Sequence, residues 1–108
     1  LGVSNTIRGA VAQWAKTLAL ELGGFGITVN NILPGYTATE RLQELAENKA
    51  KSMGKTVEDI YKAWAKNTSL RRLGKPKEIA SAVAFLASDS AGYINGHNLS
   101  IDGGRFGA

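Results

Sequence analysis

Cysteine is absent from this 108-residue chain, which excludes a disulfide scaffold, a thiolate metal site and a cysteine nucleophile. A cytoplasmic location is compatible with that absence. Histidine occurs once, at His97, with no HExxH pattern and no paired His set, so no metal site is expected. Proline occurs twice, and the thirteen glycines follow no three-residue period, which rules out a collagen-like chain. Aromatic residues make up 7% and do not interleave with the basic ones, so no nucleic-acid surface is expected. No apolar run approaches the ~18–20 residues that cross a bilayer. GxSxG and Walker patterns are missing as well. The first residues, LGVSNTIRGA, contain neither an initiator Met nor the basic-then-apolar plan of a signal peptide. A helical pattern is under way within a few residues, so the chain is expected to be a piece of something longer.

What is present is the composition of a globular protein, with 44% apolar and 20% charged residues. Thirteen Lys and Arg against nine Asp and Glu leave a net charge of +4. Ten of the thirteen basic residues fall between Arg41 and Lys77. A solvated helical surface accounts for such a run, and so does a cationic flap over an anionic ligand.

Ile7, Val11, Trp14, Ala15, Leu18 and Leu22 recur at three and four, which predicts a helix over 4–22. Ser4 or Asn5 is suited to cap its start and Gly23-Gly24 to stop it. Ile27–Leu33 is rich in β-branched residues and predicts a strand buried on much of both faces, ended by Pro34-Gly35. Two shorter helices are expected between Thr39 and Lys66, broken at Gly54. Thr56-Val-Glu-Asp59 has the form of a capping box before the second. Pro76 suits the first turn of a further helix ending near Ser88, and His97–Ile101 reads as a short strand. A helix, a glycine turn and a strand make half of a βαβ unit.

Two ordered runs, ITVNNILPGYTAT and LRRLGKPKEIASAVAFLASDSAGYINGHNLSIDGG, closely resemble the C-terminal half of the short-chain dehydrogenase/reductase family, nearest its 3-oxoacyl-(acyl carrier protein) reductase-like branch. The resemblance covers essentially the whole chain. It implies an α/β fold, the C-terminal part of a Rossmann-type doubly wound parallel sheet, with the cofactor-binding N-terminal half absent. It also implies NADP or NAD as cofactor, with ligands in the crevice at the strand ends. By that resemblance Pro34, Gly35, Tyr36, Thr37 and Thr39 form the loop beside the nicotinamide. Thr39 is equally suited to be the N-cap of the helix that follows. Residues 39–72 correspond to a substrate lid, and Tyr36 and Trp64 either meet substrate or simply pack. Asp102-Gly103-Gly104 matches the family's closing turn, and His97 reads as a structural residue.

The family's proton donor is a Tyr four residues before a Lys. Aligning the first helix puts Ser4 at the Tyr position and Arg8 at the Lys position. Arg8 keeps a positive charge for ribose or phosphate, whereas a serine hydroxyl is no substitute for a phenol shifted toward working pH. The activity implied is hydride transfer between NAD(P)(H) and a carbonyl or alcohol, with a 3-oxoacyl thioester as a candidate substrate. A catalytically degenerate nucleotide-binding or assembly protein of the same fold is the alternative. A homo-oligomer, dimer or tetramer, is the expected partner, with no nucleic acid and no membrane. Two strands so far apart in sequence need further strands beside them, so the chain alone is expected to expose apolar surface and to lack activity.

Overall fold

A computed structural model of the chain describes residues 2–105. Helix α1 spans Gly2–Leu22, starting before the predicted cap. Thr6 Oγ1 already donates to the carbonyl of Gly2 at 2.7 Å, so Ser4 and Asn5 lie inside the first turns and neither is the N-cap. A 3-10 turn over Gly23–Phe25 follows, closed by Gly26 at φ 77°. The glycine stop is where the sequence places it.

Strand β1, Asn31–Pro34, is shorter than predicted and shifted. The residues before it are held by one backbone bond, Gly96 N–H to Val29 O at 2.9 Å, and by the side chains of Asn30 and Asn95. Val29 N–H donates to Asn95 Oδ1, Asn30 Nδ2 donates to the carbonyl of Ile94, and His97 N–H donates to Asn30 Oδ1. β1 pairs with β2, Asn98–Ile101. Asn31 N–H donates to His97 O and Gly35 N–H to Ile101 O, at 2.8 and 2.9 Å. The two positions advance together, so the strands are parallel. Burial on both faces of β1 is not found: Leu33 and Pro34 are exposed. The sheet has two strands among the described residues, which leaves apolar side chains of β1 without cover.

Three further helices complete the elements: α2 (Glu40–Met53), α3 (Val57–Lys66) and α4 (Pro76–Leu86). Gly54 ends α2 at φ 64°. The capping box of α3 forms as predicted, with Thr56 Oγ1 accepting from Asp59 N–H and Asp59 Oδ2 from Thr56 N–H. That bond to the Thr56 backbone, with the Thr56 hydroxyl, holds the Asp59 carboxyl below its usual range. Pro76 opens α4, where its missing N–H costs nothing.

The chain divides into two units. One comprises the chain up to Leu33 with Ala82–Leu99. Within it Ala15, Ala19 and Ala91 are buried, and Asn95 Nδ2 donates to the carbonyl of Ala19. Val3, Ile7, Val11 and Trp14 lie along an exposed face of α1. The other comprises Pro34–Ser81 with the segment from Ser100 on. Its core is Ala46, Ala50, Ile60 and Trp64, where two alanines on α2 let α3 approach closely. Tyr36, Leu42, Val57, Tyr61 and Leu73 pack around them.

Candidate functional site

The loop that leaves β1 is built by close backbone approach. A β-carbon on Gly35 would lie 2.6 Å from Asp102 Cβ and 2.8 Å from its Cα, closer than any side chain tolerates. Glycine is therefore required here by space rather than by torsion. Beyond it, Tyr36 O accepts from Gly74 N–H and Gly74 O from Ala38 N–H, at 2.8 and 2.9 Å. These bonds form a parallel bridge between Thr37 and Gly74. In such a bridge the central residue's own N–H and C=O point away from the partner. Thr37 N–H and C=O accordingly have no hydrogen bond among the described residues, although Thr37 is buried. Its hydroxyl donates to Gly35 O.

Thr39 is the N-cap of α2, its Oγ1 accepting from Leu42 N–H at 3.2 Å. The cap uses an oxygen lone pair and leaves the hydroxyl proton available to a ligand. The two roles read from the sequence are compatible. The start of α2 also supplies backbone N–H groups and the positive end of the helix dipole. Pro34, Gly35, Tyr36, Thr37 and Thr39 are thus brought into one short loop on the second unit.

Tyr36 and Trp64 pack on each other, with ring centroids 5.2 Å apart and planes 11° apart. Tyr61 joins them at 6.0 Å. A cleft of about 400 Å³ opens beside Tyr36, lined also by Arg72, Gly74, Glu78, Ser100 and Asp102. Arg72 and Glu78 form a bidentate ion pair, with Nη1 and Nη2 donating to the two carboxylate oxygens at 2.7 and 2.9 Å. Glu78 Oε1 also accepts from Lys75 N–H. The Arg72 guanidinium, then the Lys75 backbone bond, holds the Glu78 carboxyl down at about 2. The helix start at Pro76 signals an acidic residue near Glu78; nothing local to Arg72 signals its partner.

Ser4 and Arg8 sit one turn apart on one exposed face of α1, in the first unit. His97 is exposed, its N–H held by Asn30. The Asp102-Gly103-Gly104 turn serves packing: Gly104 has φ 74°, its N–H donates to Asp102 Oδ1, and a β-carbon there would collide with the Ser69 side chain. The sequence left Arg105 unassigned, yet its guanidinium lies 4.6 Å from the Tyr36 ring centroid. Among the described residues no cluster of metal-ligating side chains is present and no helix is long and apolar enough to cross a membrane.

Comparison with known proteins accords with this architecture. A family model described as enoyl-(acyl carrier protein) reductase matches residues 2–105. The short-chain reductase protein NovJ of Streptomyces niveus is 42% identical over 100 residues, which cover 93% of this chain and 37% of that protein. The 3-oxoacyl-(acyl-carrier-protein) reductase FabG of Haemophilus influenzae is 38% identical over 99 residues, covering 92% and 36%. L-sorbose reductase from Gluconobacter frateurii, solved in complex with NADPH and L-sorbose, superposes with a TM-score of 0.87 at 30% identity, covering 96% of this chain and 40% of that one. The chain thus spans less than two-fifths of the length of these curated relatives. The shared fold is α/β, part of a Rossmann-type parallel sheet.

Proposed function

This chain belongs to the short-chain dehydrogenase/reductase family, and from that premise we propose that it is the part of an NAD(P)-dependent oxidoreductase that holds the nicotinamide and covers the substrate. The observation that carries the proposal is Thr37. A buried residue at a strand end offers one backbone donor and one backbone acceptor side by side, which suits a carboxamide that needs both. The Pro34–Thr39 loop would hold the nucleotide, which when bound would supply the hydride chemistry between a carbonyl and an alcohol carbon. The chain's residues bind and orient. Pro34 and Gly35 bring the backbone close, Tyr36 walls the loop, and the Thr39 hydroxyl with the start of α2 faces phosphate or amide. Helices α2 and α3, within residues 39–72, act as the lid. Their basic residues suit an anionic carrier-linked or coenzyme A-linked 3-oxoacyl thioester.

On α1, Arg8 supplies a fixed positive charge for ribose or phosphate. Ser4 occupies the position of the family's phenolic donor. We propose a homo-oligomer in the cytoplasm as the working form. NADPH and NADH binding to the full natural protein, followed by cofactor fluorescence, tests the nucleotide reading; loss of NAD(P)H absorbance with 3-oxoacyl thioesters, ketones and ketoses tests the chemistry. Absence of binding by both nucleotides would overturn the proposal.

A second reading rests on Ser4 itself. A serine hydroxyl cannot exchange a proton near neutral pH as a tuned phenol does, which favours a relative that binds nucleotide without turnover. Binding without oxidation across the carbonyl panel would select it. A gain of turnover in the Ser4→Tyr, Arg8→Lys double variant would place the loss of chemistry at these two positions.

A further inference from the structure

We infer that Arg105 is a positioning residue that staples shut the base of the α2–α3 hairpin and, through Tyr36, sets the backbone of the Pro34–Thr39 loop. Tyr36 lies just before the hairpin, which begins at Glu40, and Thr68 just after its end at Lys66. Arg105 touches both ends. Its backbone forms an antiparallel bridge with Thr68. The neighbouring bonds, Ser69 N–H to Gly104 O at 2.9 Å and Leu70 N–H to Gly103 O at 3.1 Å, extend that pairing. Its side chain reaches the other end, where the guanidinium lies over the Tyr36 ring and Nη2 donates to Tyr36 Oη at 3.2 Å.

Tyr36 in turn stacks on Trp64 near the end of α3, and its carbonyl accepts from Gly74 N–H. Thr68 is 1% exposed, with its hydroxyl donating to Ala65 O, so the return point of the hairpin is anchored. A planar guanidinium suits the stack and the hydroxyl contact together, as an ammonium does not. Removing it frees the ring of Tyr36, and with it the loop that presents Thr37.

The role in nucleotide binding rests on the proposed function above; the stapling does not. Fluorine NMR of the full natural protein labelled with fluorotryptophan tests the stapling, with the Trp64 resonance assigned by Trp64→Phe. Arg105→Ala is expected to move that resonance toward a solvent-exposed position and to raise the open population about two- to five-fold. Arg105→Lys is expected to shift it part of the way, and it covers the case in which the alanine variant fails to fold. An unmoved Trp64 resonance in either folded variant would overturn the staple. NADPH affinity is the second readout: a Kd raised about two- to five-fold by Arg105→Ala supports positioning, and an unchanged Kd beside a shifted Trp64 overturns it. If the parent protein binds no NADPH, the nucleotide reading fails, and the staple is judged on the Trp64 resonance.

Discussion

Asp102 Cα lies 2.8 Å from where a β-carbon on Gly35 would stand. Gly35 N–H donates to Ile101 O in the same stretch, so the strand end and the closing turn are held backbone to backbone. Gly35→Ala has no flexible side chain to push aside. It is expected to destabilise the protein by about 2–3 kcal/mol, in the range of overpacked interiors, and to weaken nucleotide binding by displacing the loop. Urea unfolding and an NADPH titration check it.

The Arg72–Glu78 pair makes stability depend on acid. The Glu78 carboxyl sits at about 2 in the folded chain against 4.5 ordinarily. A depressed carboxyl stabilises the fold above its unfolded value and loses that contribution as pH falls through the folded value. The melting temperature is therefore expected to fall between pH 4.5 and about 2. In Glu78→Gln this part of the fall disappears. Both partners are partly exposed, at 46% and 39%, so added salt is expected to reduce the contribution. Melting curves across that pH range, at two salt concentrations, check it.

Thr56 caps α3 on both sides of the exchange with Asp59. Thr56→Ala is expected to cost about 1 kcal/mol, while Thr56→Ser, which keeps the oxygen, costs a fraction of it. Chemical denaturation of the two variants separates the hydroxyl from the methyl.

Ala46 is fully buried where α2 meets α3. Ala46→Leu is expected to force the helices apart at a cost of about 1–3 kcal/mol. The Trp64 environment should change with it, since Trp64 belongs to the same cluster. Tryptophan emission together with unfolding midpoints checks this.

The exposed face of α1 carries Val3 and Trp14 at 76% and 63% exposure, with Ile7 and Val11 between them. A contiguous apolar face of this kind binds hydrophobic surfaces when uncovered. The isolated 108-residue chain is expected to bind an apolar dye and self-associate, and Ile7→Glu with Val11→Glu is expected to reduce both. Dye fluorescence and sedimentation read the outcome.

Short-range chemistry was legible in the residues themselves. The glycine stop after α1, the capping box at Thr56 and Asp59, Gly54 as the end of α2 and Pro76 at the head of α4 all depend on atoms within four residues of one another. The order PGYTAT at a strand end pointed to the loop, and the loop is there. The start of α1 was not legible, because a good capping residue such as Ser4 fits inside a helix when the chain before it is already helical. β1 was predicted too long and too buried. The residues ahead of it bond the Asn95 side chain and the Ile94 and Gly96 backbone, and a strand's burial depends on neighbours that its own pattern cannot count.

What the chain's residues determined alone was where helices begin to be favourable, where they must stop and where a strand gives way to a loop. Tertiary structure decided which distant residues meet. Parallel pairing of β1 with β2 brings Gly35 against Asp102. The return of the hairpin sets Arg105 on Tyr36. The physical reason is range: capping and periodicity act over one or two turns of backbone, whereas these pairs exist only after strand hydrogen bonds and buried alanines have closed loops of tens of residues.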